Sequence, residues 1–238
     1  LATLQEGAEF LGAPYRRDFT FPAEELADAS ETAEVTWLCV PNNPTGDRPD
    51  DAAIMAVIDA AKGLVVIDAA YAEFTGDRWN TLVREQPHVI VMHTLSKAFG
   101  LAALRVGFAV AHPAVIDQLD AVRPPGSIST ISAALGEEAL RNPQRMHRHV
   151  DRLIKLRTSL AGALEGIGIA VVPASHTNFV LCEIGEQATW LAGDLMTEGL
   201  VVRSFPPDGP LASFLRFTVR SAPENDRLID ALARRLRT

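Results

Sequence analysis

The chain has 238 residues, 47% of them hydrophobic, with a net charge of −8 and a pI near 5.3. That composition supplies core for one large domain or two smaller ones and stands well away from disorder. The acidic balance excludes a general nucleic-acid or membrane-surface binder, and no stretch reads as a transmembrane span or a signal peptide.

The chain opens on Leu1, inside a helix-like pattern. Apolar runs at Thr36–Val40, Gly63–Ile67, Val89–Met92 and Val106–Ala111 predict strands, with a helix over Asp50–Ala61 between the first two. Strand, helix, strand at this spacing argues for a mostly parallel sheet covered by helices. After Pro124-Pro125-Gly126 the pattern changes. Helices are expected over Ile128–Arg141, Arg145–Leu164, Gln187–Glu198 and Glu224–Arg237. Strands are expected at Ile169–Val172, Asn178–Glu183, Leu200–Arg203 and Leu215–Val219. The reading is an α/β chain with a large domain over 1–135 and a smaller α+β domain over 136–238. Cys39 and Cys182 lie far apart in apolar runs, which reads as buried free thiols in a reducing cytoplasm. The arginines at 234, 235 and 237 read as the favourable end of a last helix.

Asn43, Asp68 and Lys97 fall at or just past strand ends, where α/β proteins carry their chemistry. In Thr94-Leu95-Ser96-Lys97-Ala98-Phe99-Gly100, one lysine closes an apolar run between hydroxyls. A lysine there loses hydration and becomes a nucleophile able to form a Schiff base with an aldehyde. Thr94, Ser96 and Arg105 are donors suited to a phosphate dianion. Val65-Val66-Ile67-Asp68 ends a strand on a carboxylate, which needs a partner when buried; a protonated heterocyclic nitrogen is a good one. An N-cap aspartate is the plainer alternative. Tyr71, three residues on, could donate to the same ring's phenolate oxygen. Asn43 could do likewise from the rigid Pro41-Asn42-Asn43-Pro44-Thr45-Gly46 loop. Arg216 sits inside the apolar run Phe214-Leu215-Arg216-Phe217-Thr218-Val219, a costly place for a charge unless it meets an anion. A substrate carboxylate or an internal salt bridge would serve.

Taken in order, N-N-P-T-G, V-I-D-x-A-Y, T-L-S-K-A-F-G-L-x-x-L-R-x-G and L-R-F-T-V resemble the fold-type I pyridoxal-phosphate aminotransferases. The resemblance is strongest to their histidinol-phosphate aminotransferase-like branch and covers essentially the whole chain. It implies an α/β fold-type I transferase working as a cytoplasmic homodimer with pyridoxal 5′-phosphate. It implies Lys97, Asp68 and Tyr71 as catalytic residues, Asn43, Thr94, Ser96 and Arg105 as further cofactor contacts, and Arg216 as the grip on the substrate α-carboxylate. Asn178 matches a segment lining the site. The implied reaction is ping-pong transfer from an L-amino acid, histidinol phosphate or an aromatic one, to a 2-oxo acid such as 2-oxoglutarate.

The family pattern is not met everywhere. Ala69 stands where the family commonly has Glu, and Arg220 where it commonly has Gly; Arg220 reads as solvated. The resemblance also implies a segment before Leu1, with a phosphate-binding helix N-terminus and an aromatic residue stacked on the cofactor. Nothing in residues 1–35 replaces either. The sheet is then expected to expose an edge or face that a partner subunit covers. The same residues leave open a threonine-phosphate decarboxylase-like enzyme on the same scaffold, or a weak or inert homologue. A nicotinamide fold would need G-x-G-x-x-G, which is absent. No metal site is expected, since His147 and His149 are two apart on a helix and diverge.

Overall fold

The computed structural model describes residues 7–77 and 79–236. The helical start expected at Leu1 and the expected end at Arg237 lie outside them. Four strands, β1 (Val35–Cys39), β2 (Leu64–Asp68), β3 (Val89–Thr94) and β4 (Gly107–Ala111), form one sheet in that order. β1, β2 and β3 run parallel and β4 closes the edge antiparallel. Helix α1 (Ala23–Ser30) precedes β1, and α2 (Asp51–Ala60) crosses from β1 to β2. Asp50 caps α2 by accepting from the Ala53 N–H at 2.7 Å, an ordinary N-terminal stop.

Period-two alternation decides which side of this sheet is dry. Leu38, Val65, Ile67, Val89 and Val91 share one face and pack on Ile54, Val57 and Ile58 of α2. The opposite face carries Val35 and Trp37 of β1, with Trp37 in register with the buried Val66 and Ile90, and Asp68 in register with Met92. There Trp37 is 61% exposed, Val35 45% and Met92 39%. An apolar sheet face open to this degree calls for a cover.

Helices α3 (Pro113–Val122), α4 (Thr130–Arg141) and α5 (Pro143–Gly166) lead to a second sheet of β5 (Ala170–Val171), β6 (Phe179–Glu183) and β7 (Phe214–Thr218), all antiparallel. Helices α6 (Ala188–Thr197) and α7 (Ala222–Leu236) complete the described chain. Leu160 and Leu164 of α5, Leu191 and Leu195 of α6, and Leu228 and Leu232 of α7 bury against Val180, Leu215 and Phe217. Arg235 locks α7 to α6 through Asp194 and Glu198, and Arg234 adds a second contact to Glu198. These arginines therefore do more than oppose a helix dipole.

Two expectations need correcting. Leu200–Arg203 is not a strand: only Arg203 pairs, as an isolated bridge to Arg216. Leu200 and Val202 pack partly buried against the core while Val201 is 82% exposed, but Pro206-Pro207 soon follow and no ladder continues from the run. Of the two cysteines, both free, only Cys182 is buried; Cys39 is half-buried on the open sheet face. Helix α3, outside the expected elements, starts on Pro113 at its first position with His112 as its cap.

Candidate active site

The C-terminal ends of β1, β2 and β3 bring three loops together. The loop after β1 turns through cis bonds at Val40–Pro41 and Asn43–Pro44. Asn42 donates to Thr45 Oγ1 at 2.8 Å, and the Gly46 carbonyl accepts from the His176 N–H at 2.7 Å. Gly46 has φ +81°, and a Cβ there would lie 2.5 Å from Ser175 Oγ. Only glycine allows this approach, and through it the loop carrying Asn43 is docked on the loop before β6.

Asp68 ends β2 opposite Cys39 of β1 and Met92 of β3. Its carboxylate accepts from the Ala70 N–H at 3.1 Å, an Asx turn that aims the side chain beyond the strand end. Tyr71 follows and is 3% exposed. Its ring meets Phe179 edge-on, with centroids 5.5 Å apart, and Lys97 Nζ stands 5.6 Å from its centroid. Phe74, Ala98, Met146 and Val150 finish the apolar wall around this pair.

Lys97 lies in the tight loop between β3 and β4. Leu95 N–H bonds to the Val106 carbonyl at 3.0 Å, and Gly100 N–H to the Lys97 carbonyl at 3.0 Å. Thr94 Oγ1 donates to Ser96 Oγ at 3.0 Å. Arg105 holds φ 55° and is exposed, with Nη1 on the Ala102 carbonyl at 3.3 Å. Thr94, Ser96, Lys97 and Arg105 thus share one loop, with the guanidinium facing outward.

The second sheet contributes Arg216 from β7. Its Nη1 donates to Asn43 Oδ1, its Cζ stacks 4.7 Å above the Phe179 ring, and its Nε is buried without a partner. Asn178 sits half-buried one residue before β6, where its carbonyl accepts from the Val219 N–H at 2.9 Å. Arg220 is exposed and pairs with Glu224 at 2.9 Å, one helical turn on. The structure therefore brings Asn43, Tyr71, Lys97 and Arg216 into one row, with Asp68 at the adjoining strand end. Two neighbours of this row carry no signal in the sequence. Phe179 looks like ordinary core, and Arg203 is joined to Arg216 only by the bridge. Hydropathy carries no signal for either; an arginine on each side of one bridge is the only clue.

Burial governs the electrostatics. It pushes the Tyr71 phenol up to about 12, with Cys39 and Asp68 adding to the rise and Arg216 opposing it. It pushes the Cys39 thiol up to about 11, helped by Asp68. Burial also draws the Arg216 guanidinium below its usual range, and neighbouring Arg203 adds to that. Tyr15, the other tyrosine, is raised further still by burial and by Asp47. Unfolded tyrosines ionise near pH 10, so the folded chain holds more protons above that pH. Its stability should fall as pH rises from about 10 through 12. Near-ultraviolet titration should show no tyrosinate at about pH 10 in the native protein and half-ionisation there in denaturant. A native titration at the ordinary value would contradict the burial of both rings.

Among the described residues no group of His, Cys, Asp and Glu is arranged to hold a metal ion, and no helix is long and apolar enough to cross a membrane.

The family model described as aminotransferase class I and II matches residues 6–232. The chain is similar to the histidinol-phosphate aminotransferase of Caldanaerobacter subterraneus subsp. tengcongensis, with 38% identity over 229 residues. The match covers 95% of this chain and 64% of that protein, so the chain spans less than two thirds of its relative's length. It superposes on the histidinol-phosphate aminotransferase of Sinorhizobium meliloti, crystallised with pyridoxal-5′-phosphate, with a TM-score of 0.89 and 26% identity. That match covers 99% of this chain and 66% of that one. The L-threonine-O-3-phosphate decarboxylase of Porphyromonas gingivalis superposes at a TM-score of 0.79 with 22% identity, covering 92% and 70%. This last likeness is one of fold.

Proposed function

The chain belongs to the class I and II aminotransferase family, and from that premise we propose that it transfers an amino group from an L-amino acid to a 2-oxo acid with pyridoxal 5′-phosphate. The observation that carries this reading is the row of Lys97, Tyr71, Phe179 and Arg216, which places an amine and a free guanidinium edge on either side of one buried phenol.

The side chains present fit the cofactor. Asp68 offers a carboxylate at a strand end for a protonated ring nitrogen. Tyr71 and Asn43 can donate to a ring oxygen, and Thr94, Ser96 and Arg105 form a donor set for a phosphate. Arg216 Nε, buried and unpartnered, fits an anion the chain itself does not supply. When bound, the cofactor supplies an electron sink for the bonding pair left at the substrate α-carbon.

The remaining work falls to protein groups. Lys97 Nζ moves the proton at the α-carbon. Tyr71 keeps its phenolic proton at neutral pH, since burial holds it near 12, and so acts as a donor. Arg216 orients the substrate by its anionic group, the α-carboxylate of an amino acid or the phosphate of histidinol phosphate, which has no carboxylate, and this fixes which bond at the α-carbon is presented to the amine. Phe74, Ala98 and Phe179 keep water from the back of the site.

Histidinol phosphate and aromatic amino acids are the proposed donors and 2-oxoglutarate the acceptor, in a ping-pong cycle located in the cytoplasm. The test supplies the cofactor-loaded chain with glutamate alone. About one equivalent of 2-oxoglutarate should appear per chain without a second substrate. Release of carbon dioxide instead would make it a decarboxylase, and no product at all would refute the reading.

The open face around Trp37, Val35 and Met92 supports a second copy of the chain as its cover. Sedimentation should give a dimer that Trp37→Glu dissociates, because a charge facing an apolar interface costs several kcal/mol, about 3–5. A monomer at micromolar concentration would refute this assembly.

A further inference from the structure

Phe179 connects the two polar ends of the site without donating or accepting a bond through its side chain. It is 1% exposed. Tyr71 meets its edge and the Arg216 guanidinium lies over its face. Phe179 pairs with Thr218 across the ladder, and Arg216 pairs with Leu181. Phe179 and Arg216 are thus diagonal neighbours on one face of the second sheet, within reach for long side chains. The ring is held hard in place. Its own carbonyl accepts from Ser175 Oγ at 2.6 Å and Thr177 Oγ1 at 3.3 Å, and Arg157 donates to the carbonyl of Thr177.

The chemistry of this support matters. A half-buried arginine is usually steadied by a carboxylate, which occupies its donors and cancels its charge. Here the guanidinium carbon lies over an aromatic ring, 4.7 Å from its centroid, and the ring attracts a cation without using a donor. Asn43 takes Nη1 and stays neutral. Nε is buried without a partner and Nη2 makes no hydrogen bond among the described residues, which leaves free the edge suited to two parallel bonds with a carboxylate.

We propose that Phe179 is a positioning residue: its ring holds the Arg216 guanidinium in place and unneutralised, with the Nε–Nη2 edge left for the substrate carboxylate. This rests on the reading of Arg216 as the carboxylate grip.

The test compares Phe179→Leu, which removes the ring, with Phe179→Tyr, which keeps it, both loaded with cofactor. The first readout is succinate affinity by calorimetry, since succinate is a carboxylate that cannot react. The second is KM against kcat for glutamate, set beside a primary amine lacking a carboxylate. Phe179→Leu should weaken succinate binding and raise the glutamate KM by about tenfold, the scale of a partly desolvated cation over a ring. Its kcat should fall by less than its KM for glutamate rises, and its reaction with the amine should lose less than its reaction with glutamate, since only the glutamate reaction draws on the Arg216 grip. Phe179→Tyr should restore succinate affinity. If Phe179→Leu fails to fold, Phe179→Met makes the same comparison with a more adaptable side chain. Unchanged succinate affinity, or equal losses for amine and amino acid, would overturn the inference while leaving the proposed function in place. A parent protein that transfers no amino group, yet shows the tenfold succinate difference, would retire the proposed function and keep the inference.

Discussion

Lys97→Ala is expected to abolish amino-group transfer, lowering turnover by at least about 10³-fold, while the chain keeps its fold. The two halves of this expectation have separate physical sources. Lys97 is half-buried in the β3–β4 loop, where its amine lies over the Tyr71 ring. Losing that contact removes about 0.5–1 kcal/mol, a small part of a domain's stability. The loop is closed by main-chain bonds at Leu95 and Gly100, which alanine leaves intact. Turnover has no such reserve, because no other lysine can take over. Lys62 follows α2, where its N–H bonds to the Ser30 carbonyl, and Lys155 is exposed on α5. Circular dichroism and melting should match the parent within a few degrees while product formation vanishes. Normal turnover in this variant would remove the amine from the mechanism, and the family reading of the site with it.

Much of this arrangement is legible in the sequence itself. Asp68 and Lys97 stand out because a polar group closing an apolar run is placed at a strand end by the run itself. Arg216 stands out because a charge within an apolar strand demands an explanation. What stayed hidden depends on contacts between distant segments. The need for glycine at Gly46 comes from Ser175, far along the chain. Arg235 reaches across to Asp194 and Glu198 as well as to the Ala231 carbonyl of its own helix. Phe179 reads as core because hydropathy cannot tell a ring that fills space from one that carries a cation. The Leu200–Arg203 run shows the converse error. It has the hydropathy of a strand, but Gly199 turns the chain at φ +75°, and only Arg203 reaches the ladder.

Arg216→Ala should move activity and stability in opposite directions. On the activity side, two charge-assisted bonds to a carboxylate disappear, worth together about 3–4 kcal/mol, so KM for amino acids should rise about 10²–10³-fold. Amines without a carboxylate should react as before. Arg216→Lys should recover only part of the loss, because an ammonium keeps the charge and lacks the planar fork. On the stability side, Arg216 is a cation drawn below its usual range by burial, next to Arg203, with a donor left unpaired. Such a residue costs the fold free energy that the bound substrate recovers. Alanine removes that cost, though it also gives up the contacts to Asn43 and Phe179, so the melting temperature should hold or rise. A residue present for structure would do the reverse, lowering the melting temperature and harming amines and amino acids alike. Melting and KM measured on the same preparation therefore separate the two roles. A lower melting temperature with equal kinetic losses would make Arg216 a structural residue and leave the substrate carboxylate without its grip.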